Sequence, residues 1–120
     1  MNYRTLFLHA VAILMGCFIT APAFAQAPSN GELVLNVRGL TSAMRDGLAS
    51  DLQQEGRYRI AFACVPAGIL IVEATDPTFR SNLRTDLMPV VHHRIEQSTV
   101  RTSTMSRNAA EAACAEARNQ

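Results

Sequence analysis

An apolar stretch from Leu6 to Ala21, interrupted by His9, Gly16, Cys17 and Thr20, opens the chain behind one early positive residue, Arg4. A short positive start followed by an apolar run is the build of a secretory signal peptide. Ala23-Phe24-Ala25 then places small residues where a signal peptidase reads them, so residues 1–25 are expected to be removed by cleavage between Ala25 and Gln26. Two other readings compete. A retained anchor needs about 20 apolar residues to span a bilayer, and Pro22 with the small-residue site argues against it. Leu14-Met15-Gly16-Cys17 matches a bacterial lipoprotein cleavage box, which would leave a lipidated Cys17 tethering the protein to a membrane. The apolar run continues past Cys17 through Phe18, Ile19 and Phe24, which suits a signal core better than a polar tether.

Beyond a polar lead over 26–31, the pattern becomes periodic. Leu33, Leu35 and Val37 alternate with Val34, Asn36 and Arg38, the period of a half-buried strand, and Gly39 stops it. Thr41 is placed to cap a helix through its hydroxyl. On that helix Met44, Leu48 and Leu52 form one apolar stripe, and Gly56 is placed to end it. Gly47 inside the helix costs about 1 kcal/mol relative to alanine, which predicts that something packs close there. Tyr58, Ile60, Phe62 and Cys64 alternate with Arg59, Ala61 and Ala63 and predict a second strand whose large residues and Cys64 share one face. Pro66-Ala67-Gly68 predicts a turn, and the β-branched run from Ile69 to Ala74 a third strand, completing a hairpin.

Asp76-Pro77 predicts a helix start, because aspartate accepts the orphan amides and proline needs none at the first helical position. Phe79, Leu83 and Leu87 continue at spacing four, and Pro89 is expected to end or kink this helix. Val91, Ile95 and Val100 fit either another helix or a short strand. Asn108 with Glu111 predicts a capping box for an alanine-rich last helix on which Ala110, Cys114 and Ala117 share a face. Taking a strand between the two helices, this order predicts one α+β domain over 32–120: a ferredoxin-like βαββαβ antiparallel sheet with helices on one face, plus a C-terminal helix.

Composition narrows the function. The chain has eleven arginines, no lysine and ten acids. Loss of Arg4 with the signal leaves ten against ten, a balance that does not favour nucleic acid as a partner. Cleavage leaves 120 − 25 = 95 residues, one compact domain with a thin stability margin. Of the three cysteines, Cys64 and Cys114 survive cleavage; an even count in an oxidising compartment invites pairing, the alternative being two buried free thiols.

From Val37 to Ala74 the chain resembles the heavy-metal-associated domain family of small ferredoxin-like metal carriers. The family opens its first helix with Gly-Met-Thr-Cys-x-x-Cys; here the stretch is Gly39-Leu40-Thr41-Ser42-Ala43-Met44-Arg45. The resemblance implies the fold. Ser42 and Arg45 stand where the two ligating cysteines would be, and a hydroxyl and a cation do not replace two thiolates that capture soft ions. The ordinary metal site of the family is therefore expected to be absent.

Other candidates are sparse. His92 and His93, with Glu96 close by, suit a borderline metal as ligand types, and would share one ion only on a suitable backbone. Arg38, Arg45, Arg57 and Arg59 form either a partner contact, since arginine forks match carboxylates, or a solvated rim paired with Asp46, Asp51 and Glu55. Ser42 has no nucleophile-elbow setting, and no paired catalytic carboxylates or phosphate cradle stand out. The expectation is a non-enzymatic, cofactor-free interaction or accessory module with a protein partner in the periplasm or envelope. Its docking surface would be a sheet edge, the first-helix loop or the terminal helix. The alternative is a periplasmic metal-binding protein using the histidines or the reduced cysteines.

Overall fold

The computed structural model describes residues 31–120. The expected signal segment, its cleavage site, Cys17 and most of the polar lead lie outside the described residues. Strands β1 (Glu32–Val37), β2 (Tyr58–Cys64), β3 (Ile69–Ala74) and β4 (Val100–Ser103) alternate with helices α1 (Ser42–Glu55), α2 (Leu83–Arg94) and α3 (Arg107–Arg118). The strands form one antiparallel sheet in the order β2-β3-β1-β4. This is the ferredoxin-like arrangement, with a helix added at its end.

Local chemistry explains most boundaries. The Thr41 hydroxyl accepts the Met44 amide at 3.2 Å at the start of α1. Gly56 ends α1 with φ +77°, a left-handed cap that costs other residues strain. The β2–β3 turn depends on Gly68 for two reasons. Its φ is +66°, and a Cβ there would lie 2.4 Å from the Val37 carbonyl oxygen. That close approach lets the Val37 amide donate to the Gly68 carbonyl at 2.7 Å, fastening the turn to β1.

Two cores lie on opposite sheet faces. On the first, Leu35, Val37, Leu70, Val72 and Tyr58 pack against Leu48 and Leu52 of α1 and Leu83, Leu87 and Val91 of α2. On the second, Val34, Ile69, Ile71 and Cys64 pack against Ala110 and Cys114 of α3. The strand-central residues are covered on both sides, which is why β3 reads as an unbroken apolar run rather than an alternation.

The even alternation expected for β2 is corrected by a bulge. The ladder with β3 pairs Ile60 with Val72 and then Phe62 with Ile71, so Ala61 is the extra residue. One inserted residue moves all later side chains to the other face. Tyr58 and Ile60 accordingly belong to the α1–α2 core, whereas Phe62 and Cys64 belong to the α3 core. The expected disulfide is present: Cys64 is joined to Cys114 with Cα atoms 5.8 Å apart, inside the span a disulfide bridges. It does so on the face opposite Tyr58.

Three further boundaries differ from expectation. Asp76 caps a short 3-10 turn over 77–82, accepting from the Thr78 amide at 2.8 Å and its hydroxyl at 2.6 Å, and α2 begins only at Leu83. Thr78 holds the Asp76 carboxyl below its ordinary pKa through these bonds. Helix α2 runs through Pro89 to Arg94 because Leu83, Leu87, Val91 and Ile95 are all buried and hold its turns to the sheet. Pro89 and Thr85 are both exposed, so the carbonyl released by the missing amide faces water. Helix α3 is capped by the Ser106 hydroxyl on the Ala109 amide at 3.2 Å, in place of Asn108.

Candidate functional site

The undecided segment 91–100 divides: Val91–Arg94 finishes α2, a 3-10 turn covers 97–99, and Val100 begins β4. This places His92 and His93 on a helix, about 100° apart around its axis. They line different clefts. His93 shares one with Asp51, Glu55 and Pro89 between α1 and α2, and His92 lines another with Arg84, Val100 and Thr102. Glu96 lies beyond the helix end and accepts from the Ser98 hydroxyl at 2.8 Å. Among the described residues no three His, Cys, Asp or Glu side chains are grouped to hold an ion.

The four arginines divide between the two ends of α1, whose 14 residues separate them by about 20 Å. Arg45 bonds Asp46 at 2.8 Å, which raises the guanidinium's already high pKa. Arg57 pairs with Glu55 and with Asp86, the latter at 3.0 Å, and lies 5.5 Å over the Tyr58 ring. The buried Tyr58 hydroxyl donates to Asp86 at 2.9 Å; desolvation first, then that bond, push its pKa up. Arg59 contacts Glu73 at 2.6 Å. Ser42 is exposed at the start of α1, and Arg45 is half-buried beside it.

Arg59 has a structural task. Glu73 stands directly across from Glu32 in the sheet, a like-charge pairing that destabilises a ladder. Arg59 meets Glu73 from β2, and Arg107 at the start of α3 reaches Glu32 at 2.9 Å and Glu73 at 3.8 Å. The Arg107 contact is Coulombic, because its buried Nε and Nη2 lie off any hydrogen-bonding direction. The two glutamates thus become a counter-charge that seats α3, with the disulfide about two turns further along. Gly47 is explained similarly: the Arg94 guanidinium lies across it, where a Cβ would be 3.0 Å from Nη1, and forks onto Asp51 at 2.6 and 2.8 Å. That hydrogen bonding holds the Asp51 carboxyl below its ordinary pKa.

Among the described residues Arg38, Arg80, Arg84, Arg101 and Arg118 make no ion pair, and two of these line one cleft. Arg84, Met88 and His92 follow one another at spacing four along α2 and, with Gln97, Val100, Arg101 and Thr102, line a cleft of about 460 Å³ beside edge strand β4. Val100 and Thr102 pair with Val37 and Leu35 and so share the α2 side of the sheet. Neither Arg84 nor Arg101 makes an ion pair among the described residues, and no acid lines the cleft. His92 Nδ1 is buried with no hydrogen-bond partner. Of the four arginines singled out in the sequence, Arg38 alone reaches this end of the sheet, its amide donating to the Thr99 carbonyl at 2.9 Å. Sequence reasoning missed Arg84 and Arg101; the available signal was the spacing of Arg84, Met88 and His92 alongside the buried stripe of Leu83, Leu87 and Val91.

Of the other candidate surfaces, the terminal helix is engaged and the second sheet edge is irregular. The apolar side of α3 is spent on the sheet, and the β2 edge carries the Ala61 bulge, which interrupts a regular ladder. Comparison with protein-family models, curated proteins and solved structures finds no match to this chain.

Proposed function

We propose that this chain is a non-enzymatic, exported accessory module that docks on a protein of the periplasm or envelope through its β4 edge. We further read it as a degenerate heavy-metal-associated domain, in which Ser42 and Arg45 occupy the ligand positions and the sheet has been kept as a binding platform. The observation that carries the docking reading is the β4 edge itself. Among the described residues it is an edge strand paired only with β1, bordered by a cleft with two arginines free of ion pairs, while α3 is packed on the sheet and the β2 edge is bulged. An open edge offers backbone donors and acceptors to an incoming strand. Size-exclusion and pull-down from native envelope should recover the protein in a stable complex with one partner. Recovery only as a free monomer at native abundance would contradict the proposal.

A further inference from the structure

We propose that the occupant of the β4 cleft is an extended acidic segment of a partner protein, added as a fifth strand with one carboxylate set toward Arg84 on the α2 side of the sheet and another toward Arg101, which the register with Asn36 places on the opposite side. This rests on the reading of β4 as the docking edge and adds the chemistry of what docks there.

The dimensions match a strand. Arg84 to His92 covers eight residues of helix, about 12 Å at 1.5 Å each, and four residues of strand cover about 13 Å. Side chains on one face of a strand recur about every 6.6 Å, close to the roughly 6 Å between helix positions four apart. An added strand therefore sets successive inward side chains against Arg84, Met88 and His92 in turn. The three positions ask for different groups: a carboxylate at Arg84, an apolar side chain at Met88, and a hydrogen-bonding group at the unpartnered Nδ1 of His92, donor or acceptor according to tautomer.

Charge selects the occupant. Arg84 and Arg101 contribute two positive groups and no lining residue is acidic, whereas the other arginines flanking the sheet, Arg57, Arg59 and Arg107, already face carboxylates. A second copy of this chain is disfavoured, since pairing two β4 strands antiparallel would put both Arg101 side chains into one four-residue ladder, where like charges repel. The shortness of β4 and its arginine guard against indiscriminate edge pairing, and the same arginine rewards an acidic strand.

The test is an NMR titration of isotope-labelled protein, processed as its host processes it, with an acetylated and amidated eight-residue peptide that repeats Glu-Glu-Val-Val, so that carboxylate and apolar side chains alternate along each face of the strand. Amide shifts should concentrate on Val100–Ser103 and on Arg84, Met88 and His92. The glutamine counterpart should bind about tenfold more weakly or worse, the loss of a charge-assisted contact. A peptide N-methylated at every second residue should not bind, because its ladder is blocked. Arg84→Gln combined with Arg101→Gln should erase the difference between glutamate and glutamine peptides. Equal affinity for the two peptides overturns the acidic assignment while leaving β4 as a docking edge. Undiminished binding of the N-methyl peptide, shifts on β2 instead, a β4-paired dimer of the protein alone, or no shift at all overturns strand addition of an acidic segment. Recovery of a native partner through β4 in that last case would show that the docking edge stands without this chemistry.

Discussion

Replacing Cys114 by alanine should free α3 and leave the rest of the fold standing. Cys64 and Cys114 are 50 residues apart, and closing a loop of that length stabilises the folded state by about 4 kcal/mol on a chain-entropy argument. A domain of this size has roughly 5–13 kcal/mol in all. Little else fastens the helix. Its buried residues besides Cys114 come down to Ala110, whose methyl contributes about 0.8 kcal/mol, and the half-exposed Arg107–Glu32 pair adds at most about 1 kcal/mol. A free twelve-residue helix is marginal in water. Thermal unfolding of Cys114→Ala should show a midpoint lower by roughly 15–30 °C. Hydrogen exchange should show the α3 amides losing protection while Leu35, Leu70 and Ile71 keep theirs. Release of α3 also bares Val34, Phe62, Ile69 and Ile71, so the variant should bind a hydrophobic dye. Protected α3 amides with a midpoint shifted by less than about 5 °C would refute the assignment of the disulfide as the main tie.

Other substitutions probe the turns and ion pairs. Gly68→Ala should cost roughly 2 kcal/mol or more in urea unfolding, since the new Cβ meets a backbone oxygen in a left-handed conformation. Gly47→Ala should instead stabilise by up to about 1 kcal/mol, because the atom it meets is the free end of a flexible arginine and the helix gains alanine's propensity. The Asp51–Arg94 pair contributes stability that is present above the ordinary aspartate pKa of about 3.9 and is lost as pH falls through the lower folded value. Asp51→Asn should therefore differ from the parent in stability at neutral pH and converge with it in acid, as read by thermal midpoints across a pH series.

Most of the fold was legible because its signals are local. The Thr41 and Gly56 caps bounded α1 within a residue, and turn residues bracketed β2 and β3. The Ala61 bulge was hidden because Ile60-Ala61-Phe62-Ala63-Cys64 alternates large and small whichever register it takes. The disulfide was thus anticipated from a burial that is real and a shared face with Tyr58 that is not. Pro89 misled because tertiary burial of Val91 and Ile95 outweighs one missing hydrogen bond. Four-residue β4 carries too little pattern to announce itself, and the cleft beside it joins residues up to 18 positions apart, from Arg84 to Thr102. His92 and His93, by contrast, gained significance from adjacency in sequence, which a helix turns into separation.

The central claim, that the protein works through its β4 edge, is tested most directly by photo-crosslinking in the native cell. A photoreactive residue is placed at Thr102 on β4, at Ala61 on the bulged β2 edge, or at the exposed Ala115 of α3, in otherwise unaltered protein. Crosslinking at Thr102 should give one discrete adduct that is lost when Arg84 and Arg101 are both changed to glutamine. No adduct from Thr102, or the same adduct from Ala61 or Ala115, would contradict the account.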